Sequence, residues 1–259
     1  PHDVLQAVTR LFRKDLRQAA LTLTPDEVRF LVQAYYIMQE DRKRTANQTR
    51  ALTDADKPHD VLAWLWEQND TLEKDIKAAL ASYANSQPIS QWAQTITGIG
   101  PVISAGLAAH IDITKAPTVG HIWRFAGLDP TDEWEKGEKR PWNAALKTLC
   151  WKIGESFVKV QNHPEDIYGK VYATRKTLEQ ERNDQGLFAD QAKQKLEKFR
   201  IGKSTEAYKA YSTGKLPPAH IHARAKRYAV KLMLAHYHHV AYELHYGTPP
   251  PKPYILTQP

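Results

Sequence analysis

The sequence predicts an all-α protein, with an N-terminal helical hairpin over residues 1–87 and a second helical domain over residues 88–259. Three observations predict it. Apolar residues recur in steps of three and four through most of the chain, no segment sustains the alternation of a half-buried strand, and helix start and stop signals bound the periodic runs. The 259 residues are 42% hydrophobic and 25% charged, enough to bury a core, which excludes wholesale disorder and fibrous repeats.

The elements follow in order. A first helix is expected over about Asp3 to Ala20, with Leu5, Val8, Leu11, Phe12 and Leu16 on one face and Arg10, Arg13, Lys14 and Arg17 on much of the other. Thr24-Pro25-Asp26-Glu27 reads as a capping box with proline at the first helical position. The stripe Val28, Leu31, Tyr35, Met38 continues from it, in a helix expected to run to about Thr53. Pro58 breaks that helix, and a second begins near His59 with Leu62, Leu65, Asn69, Leu72, Ile76, Ala79 and Tyr83 at heptad spacing. Such a pair can pack on itself, on the rest of the chain or on a second copy. Beyond Pro88, Ile89–Ile111 reads as a short helix, a tight turn and a second helix. Further helices are expected over Val119–Gly127, Trp142–Gln161, Ile167–Glu181, Ala189–Phe199 and about Ala219–Tyr246, before a proline-rich tail.

Composition narrows the function. The single cysteine, Cys150, excludes an intramolecular disulfide and a cysteine zinc cage, and it fits a reducing compartment. No secretory signal is visible and no stretch of about 18 apolar residues exists, so a cytoplasmic, nucleoid-associated protein without membrane contact is expected. The net charge is +7, and the segment from Ile201 onward carries eight basic residues against Glu206 and Glu243. A basic end on a near-neutral body points to a polyanion.

The most specific stretch is Ile96-Thr97-Gly98-Ile99-Gly100-Pro101-Val102-Ile103. Gly98 and Gly100 allow a sharp turn and close approach of a partner. Ile99 is expected to tuck into the core, and Pro101 suits the first position of the next helix. Free amides at that helix start then face outward with the positive end of its dipole. This is the helix-hairpin-helix signature, which holds DNA by its backbone without reading bases.

Further elements follow in order: Ala126-Gly127-Leu128-Asp129-Pro130, Gly137, Asn143-Ala144-Ala145-Leu146-Lys147, then Ala225 to Leu232 around Lys226, Arg227 and Lys231, and Gly247-Thr248-Pro249 with Lys252-Pro253-Tyr254. From about Gln91 to Tyr254 this order resembles the C-terminal domain of the DEDD, Piv/MooV-like insertion-sequence transposases, which are guided by a bridge RNA. The heptad helices from Pro25 to Tyr83 look like the coiled coil that precedes that domain in the family. The resemblance implies two catalytic elements, an RNase H-like domain with four acidic residues and a nucleophilic serine in a Ser-Gly pair. No strand pattern here suits the first, and Lys136-Gly137 stands where the pair belongs, with Ser104 and Ser156 out of place. A lysine cannot form the DNA ester that a serine forms.

A non-catalytic DNA-binding protein derived from a transposase is therefore expected, with no cofactor. Its contacts are expected from Gly98, Ile99, Gly100, Lys136, Lys139, Arg140, Arg175, Lys176, Arg224, Lys226, Arg227 and Lys231. The partners are double-stranded or branched DNA, with RNA as a further candidate, and a second copy in a homodimer. The rivals are a recombinase subunit working with a separate catalytic partner, and a protein-interaction scaffold. His236, His239 and Glu243 share a helix face, and Asp129, Asp132, Glu133 and Glu135 cluster in a loop, but no metal site is expected from either. Most of the seven tryptophans should be core, with Trp134 and Trp142 flanking a basic loop.

Overall fold

The computed structural model describes residues 15–52 and 59–251; among them the fold is all-α, with no strand. Most of the expected Asp3–Ala20 helix and the Lys252-Pro253-Tyr254 element lie outside the described residues. The chain forms two compact units. The first holds the described residues up to Thr95 with Ile99–Lys115 and Leu244–Gly247, and the second holds Ile96–Gly98 and Ala116–Glu243.

In the first unit α1 (Pro25–Leu52) and α2 (Asp60–Ser86) form the expected hairpin, followed by α3 (Pro88–Gln94) and α4 (Pro101–His110). The capping box forms as read. Glu27 Oε2 accepts from the Thr24 amide at 2.7 Å and from its hydroxyl at 2.7 Å, and Thr24 Oγ1 accepts from the Glu27 amide at 3.4 Å. The helices run antiparallel, since Gln39 and Arg42 reach Glu73 while Thr45 meets Asn69. Burial alone would raise the Glu73 carboxyl, but hydrogen bonds from Arg42 and Gln39 with the Arg42 charge hold it below its usual range.

The apolar core of this unit joins Val28, Val32 and Tyr35 of α1 to Leu80, Tyr83 and Ala84 of α2 and to Val102, Ala105 and Ala109 of α4. Two sequence expectations change here. The unit boundary does not fall at residue 87, because the apolar face of α4 completes the core of the hairpin. The heptad stripe also does not lie wholly in the seam. Ile76 and Tyr83 pack inward, yet Leu65 and Leu72 are 40% and 48% exposed. The position of α4 decides this. It covers Leu80, Tyr83 and Ala84, and at 3.6 residues per turn that stripe continues back through Glu73 and Asn69.

His110 ends α4 at 7% exposure with no hydrogen-bond partner on Nδ1. Burial first, and the Arg29 charge second, push its pKa down to about 4 from 6.5. Between these values the unfolded chain binds more protons than the folded one, so stability is lost as pH falls across that window. Denaturant titration from pH 7 to 4 is expected to show a loss of up to about 3 kcal/mol from this group. His110→Gln should flatten that part of the profile.

The second unit contains α5 (Val119–Phe125), α6 (Ala144–Val160), α7 (Tyr168–Asp184), α8 (Ala189–Lys198), α9 (Glu206–Ser212) and, through Glu243, α10 (Pro218–Tyr246). Apart from α9, each lies within a few residues of its expected place. α9 is too short to show a period; its one sequence signal is Thr205, whose hydroxyl accepts from the Tyr208 amide at 3.2 Å. The buried residues include Leu146, Ile153 and Phe157 of α6 with Ala225, Ala229, Met233 and Leu234 of α10. Two histidines of α10 are tied to tyrosines, His236 to Tyr168 at 2.6 Å and His222 to Tyr172 at 2.7 Å. Among the described residues no helix is long and apolar enough to cross a membrane.

Candidate nucleic-acid interface

The glycine hairpin forms between α3 and α4. Gly98 has φ +95°, and a Cβ there would press on Ser156 Oγ at 3.1 Å and Val160 at 3.2 Å. Its carbonyl accepts from the Ser156 hydroxyl at 2.6 Å. Only glycine meets both demands. Ile99 is buried, as expected. Gly100 is different. It caps α4 in an ordinary extended conformation, its carbonyl accepting from the Ser104 amide at 3.0 Å, and nothing lies within 4 Å of a Cβ built on it. The fold itself does not demand glycine there. Pro101 takes the first helical position, and the amides of the first turn have no acceptor within the helix.

The second glycine turn closes α5. Gly127 has φ +63°, its amide donates to Arg124 O at 2.9 Å, and the Leu128 amide reaches back to Trp123 O at 2.8 Å. A Cβ at Gly127 would lie 2.8 Å from the Trp142 ring and 3.0 Å from the Lys147 stem. Trp142 thus lies against the turn, and Lys147 Nζ sits 3.8 Å from the centre of a Trp142 ring.

The cations named from sequence fall into two kinds. Arg175 and Arg224 converge on Glu179, which is 1% exposed, with Arg224 Nε donating at 2.7 Å. Burial alone would raise this carboxyl, but the Arg224 and then Arg175 hydrogen bonds and charges hold it below its usual range. Lys226 is paired with Glu155. These three cations are tied to two carboxylates inside the unit.

The second kind has no carboxylate partner among the described residues, and two of its members lie over aromatic rings. Arg140 lies 5.2 Å from the centre of a Trp134 ring and Lys231 Nζ lies 4.1 Å from that of Trp123, whose Nε1 donates to Lys231 O at 3.1 Å. The pKa of Lys147 is lowered by burial and then by the charges of Arg227 and Arg140. Lys231 is also lowered, by burial and the Arg227 charge against an opposing pull from Asp129. Burial and the Arg224 charge lower Arg227. Arg140, Lys147, Arg227 and Lys231 therefore feel one another as a single field. Lys136 and Lys139 are exposed on the loop that carries Arg140, and Lys176 is exposed on α7. Lys147 is the member that sequence reasoning left out. Its signal was its place one turn into a helix capped by Asn143, whose side chain accepts from the Leu146 amide at 2.9 Å.

The other candidates are engaged elsewhere. His239 pairs with Glu243 at 3.1 Å while His236 is bonded to Tyr168. Asp129 accepts from the Thr131 amide at 3.0 Å and hydroxyl at 2.7 Å, and Asp132 pairs with Arg124 at 3.1 Å. Among the described residues no group of three or more His, Cys, Asp or Glu side chains is placed to hold a metal ion. Trp134 and Trp142 meet edge to face with centroids 6.4 Å apart.

Residues 90–140 match the model of the Transposase IS116/IS110/IS902 family. The match covers both glycine turns and the loop through Lys136, Lys139 and Arg140. No curated protein and no solved structure matches the chain.

Proposed function

We propose that this transposase-related chain binds nucleic acid, DNA foremost, through its phosphate backbone and neither cuts nor joins it. The observation that carries this reading is the field of Arg140, Lys147, Arg227 and Lys231, the first, second and fourth held over aromatic rings, with their charge left for a polyanion. The open approach to Gly100 and the amides opening α4 supply a second, uncharged phosphate contact of the helix-hairpin-helix kind. Lys136, at the place where the resembling family carries its serine, is a phosphate contact and not a nucleophile.

The test is a binding series at rising salt. Affinity for duplex DNA should fall linearly on a log–log plot with a steep slope, and DNA incubated with Mg²⁺ or Mn²⁺ should stay intact. Salt-independent behaviour without DNA binding would return the chain to the scaffold reading. Metal-dependent cleavage abolished by a single substitution such as Asp129→Asn would make it a nuclease or recombinase.

The exposed apolar row on α2, Val61, Trp64, Leu65 and Leu72, favours a homodimer as the binding form. Leu65→Glu with Leu72→Glu is expected to give folded monomers by light scattering. A wild-type chain that is already monomeric at high concentration ends the dimer reading.

A further inference from the structure

Between the Gly127 turn, α6 and α10 of the second unit lies a cleft of about 250 Å³. Its walls differ from those of a packing defect. Trp151 lines it while remaining 57% exposed, an indole placed at the surface and not in the core. Lys147 and Arg227 line it with no carboxylate pairing either among the described residues. Lys226 is present but neutralised by Glu155, and the Asp129 carboxylate is occupied by Thr131. Gly154 keeps one wall low: a Cβ there would meet the Lys226 and Val230 side chains at 3.4 and 3.5 Å, so α6 and α10 approach closely behind the cleft.

Size and chemistry together select the occupant. The volume lies just under the range of drug-sized pockets, roughly 300–1,000 Å³. It suits one nucleotide unit and excludes a duplex. An aromatic face beside unneutralised cations is the pairing that single-stranded nucleic acid uses, one group for the base and the other for the phosphate. We propose that the cleft takes one unpaired nucleotide of the bound nucleic acid, its base against Trp151 and its phosphate against Lys147 and Arg227. This rests on the nucleic-acid reading above and adds a preference for a structural defect over a paired duplex.

The experiment measures fluorescence anisotropy of the full chain with three labelled DNAs: a fully paired duplex, the same duplex with one bulged thymidine, and the same with an abasic residue in the bulge. The bulged DNA is expected to bind about tenfold tighter than the paired one, near the lower end of base–aromatic stacking. The abasic bulge and Trp151→Ala should each bring that ratio close to one, while Trp151→Phe should keep it. Circular dichroism and a thermal melt establish that each variant is folded, and Trp151→Leu serves in place of the alanine variant if that fails to fold. Equal affinities for all three DNAs overturn the cleft assignment and leave backbone binding standing. A tenfold preference that survives loss of the ring or of the base also overturns it. Absence of binding to any of the three overturns both readings.

Discussion

Glu179→Gln is expected to destabilise the second unit by about 3–5 kcal/mol, the cost of leaving buried charge without its partner. The carboxylate is 1% exposed and serves both Arg175 and Arg224. Urea denaturation followed by tryptophan fluorescence measures the loss. Glu179→Leu combined with Arg224→Met should recover part of it, because an apolar pair avoids the desolvation of both charges. The pH dependence has a definite sign. The folded carboxyl lies below its ordinary 4.5, so its contribution is complete above that value and disappears as pH falls through the folded one. The glutamine variant should lack that acid limb. A cost under 1 kcal/mol would mean that the two arginines are not held by Glu179 in solution. Arg224→Ala would accordingly lower DNA binding by loosening the fold, and its effect on affinity carries no information about phosphate contacts.

Neutralising Arg140, Lys147 and Arg227 together as methionines is expected to lower affinity for duplex DNA by several hundredfold at 0.1 M salt, on the order of tenfold per lost contact. The log–log salt slope should fall by about 2.7, close to 0.9 for each phosphate released. Methionine keeps a long unbranched apolar side chain at each position while removing the charged heads that sit over Trp134 and Trp142, so the thermal midpoint should change little. The loss should be the same for unrelated paired sequences, because backbone contacts carry no base information. An unchanged slope in the folded triple variant would place the DNA elsewhere on the chain.

Local signals were legible in the sequence wherever a few neighbouring residues decide the outcome. Thr24 with Glu27, Asn143 at the start of α6 and Pro101 at the start of α4 act within one turn, and each does what its residue type dictates. The all-α class, the glycine hairpin with Ile99 buried, and the long basic last helix follow from the same short-range physics. The sequence by itself also determined the excess of positive charge, since charge does not depend on folding.

Only the tertiary structure decided which side chains spend that charge. Arg224 and Arg227 are three residues apart on one helix, yet the first meets a carboxylate carried by α7 and the second lines the cleft. The same holds for the heptad stripe of α2. Leu65 and Leu80 are equally apolar, but α4 packs where Leu80 lies, and Leu65 stays exposed. Gly98 and Gly100 look alike in the sequence, and Ser156, fifty-eight residues from Gly98, makes one of them obligatory to the fold and leaves the other open. The physical reason is common to all three cases. Pairing, burial and close approach depend on which element arrives from far along the chain, and periodicity or local spacing carries no record of that arrival.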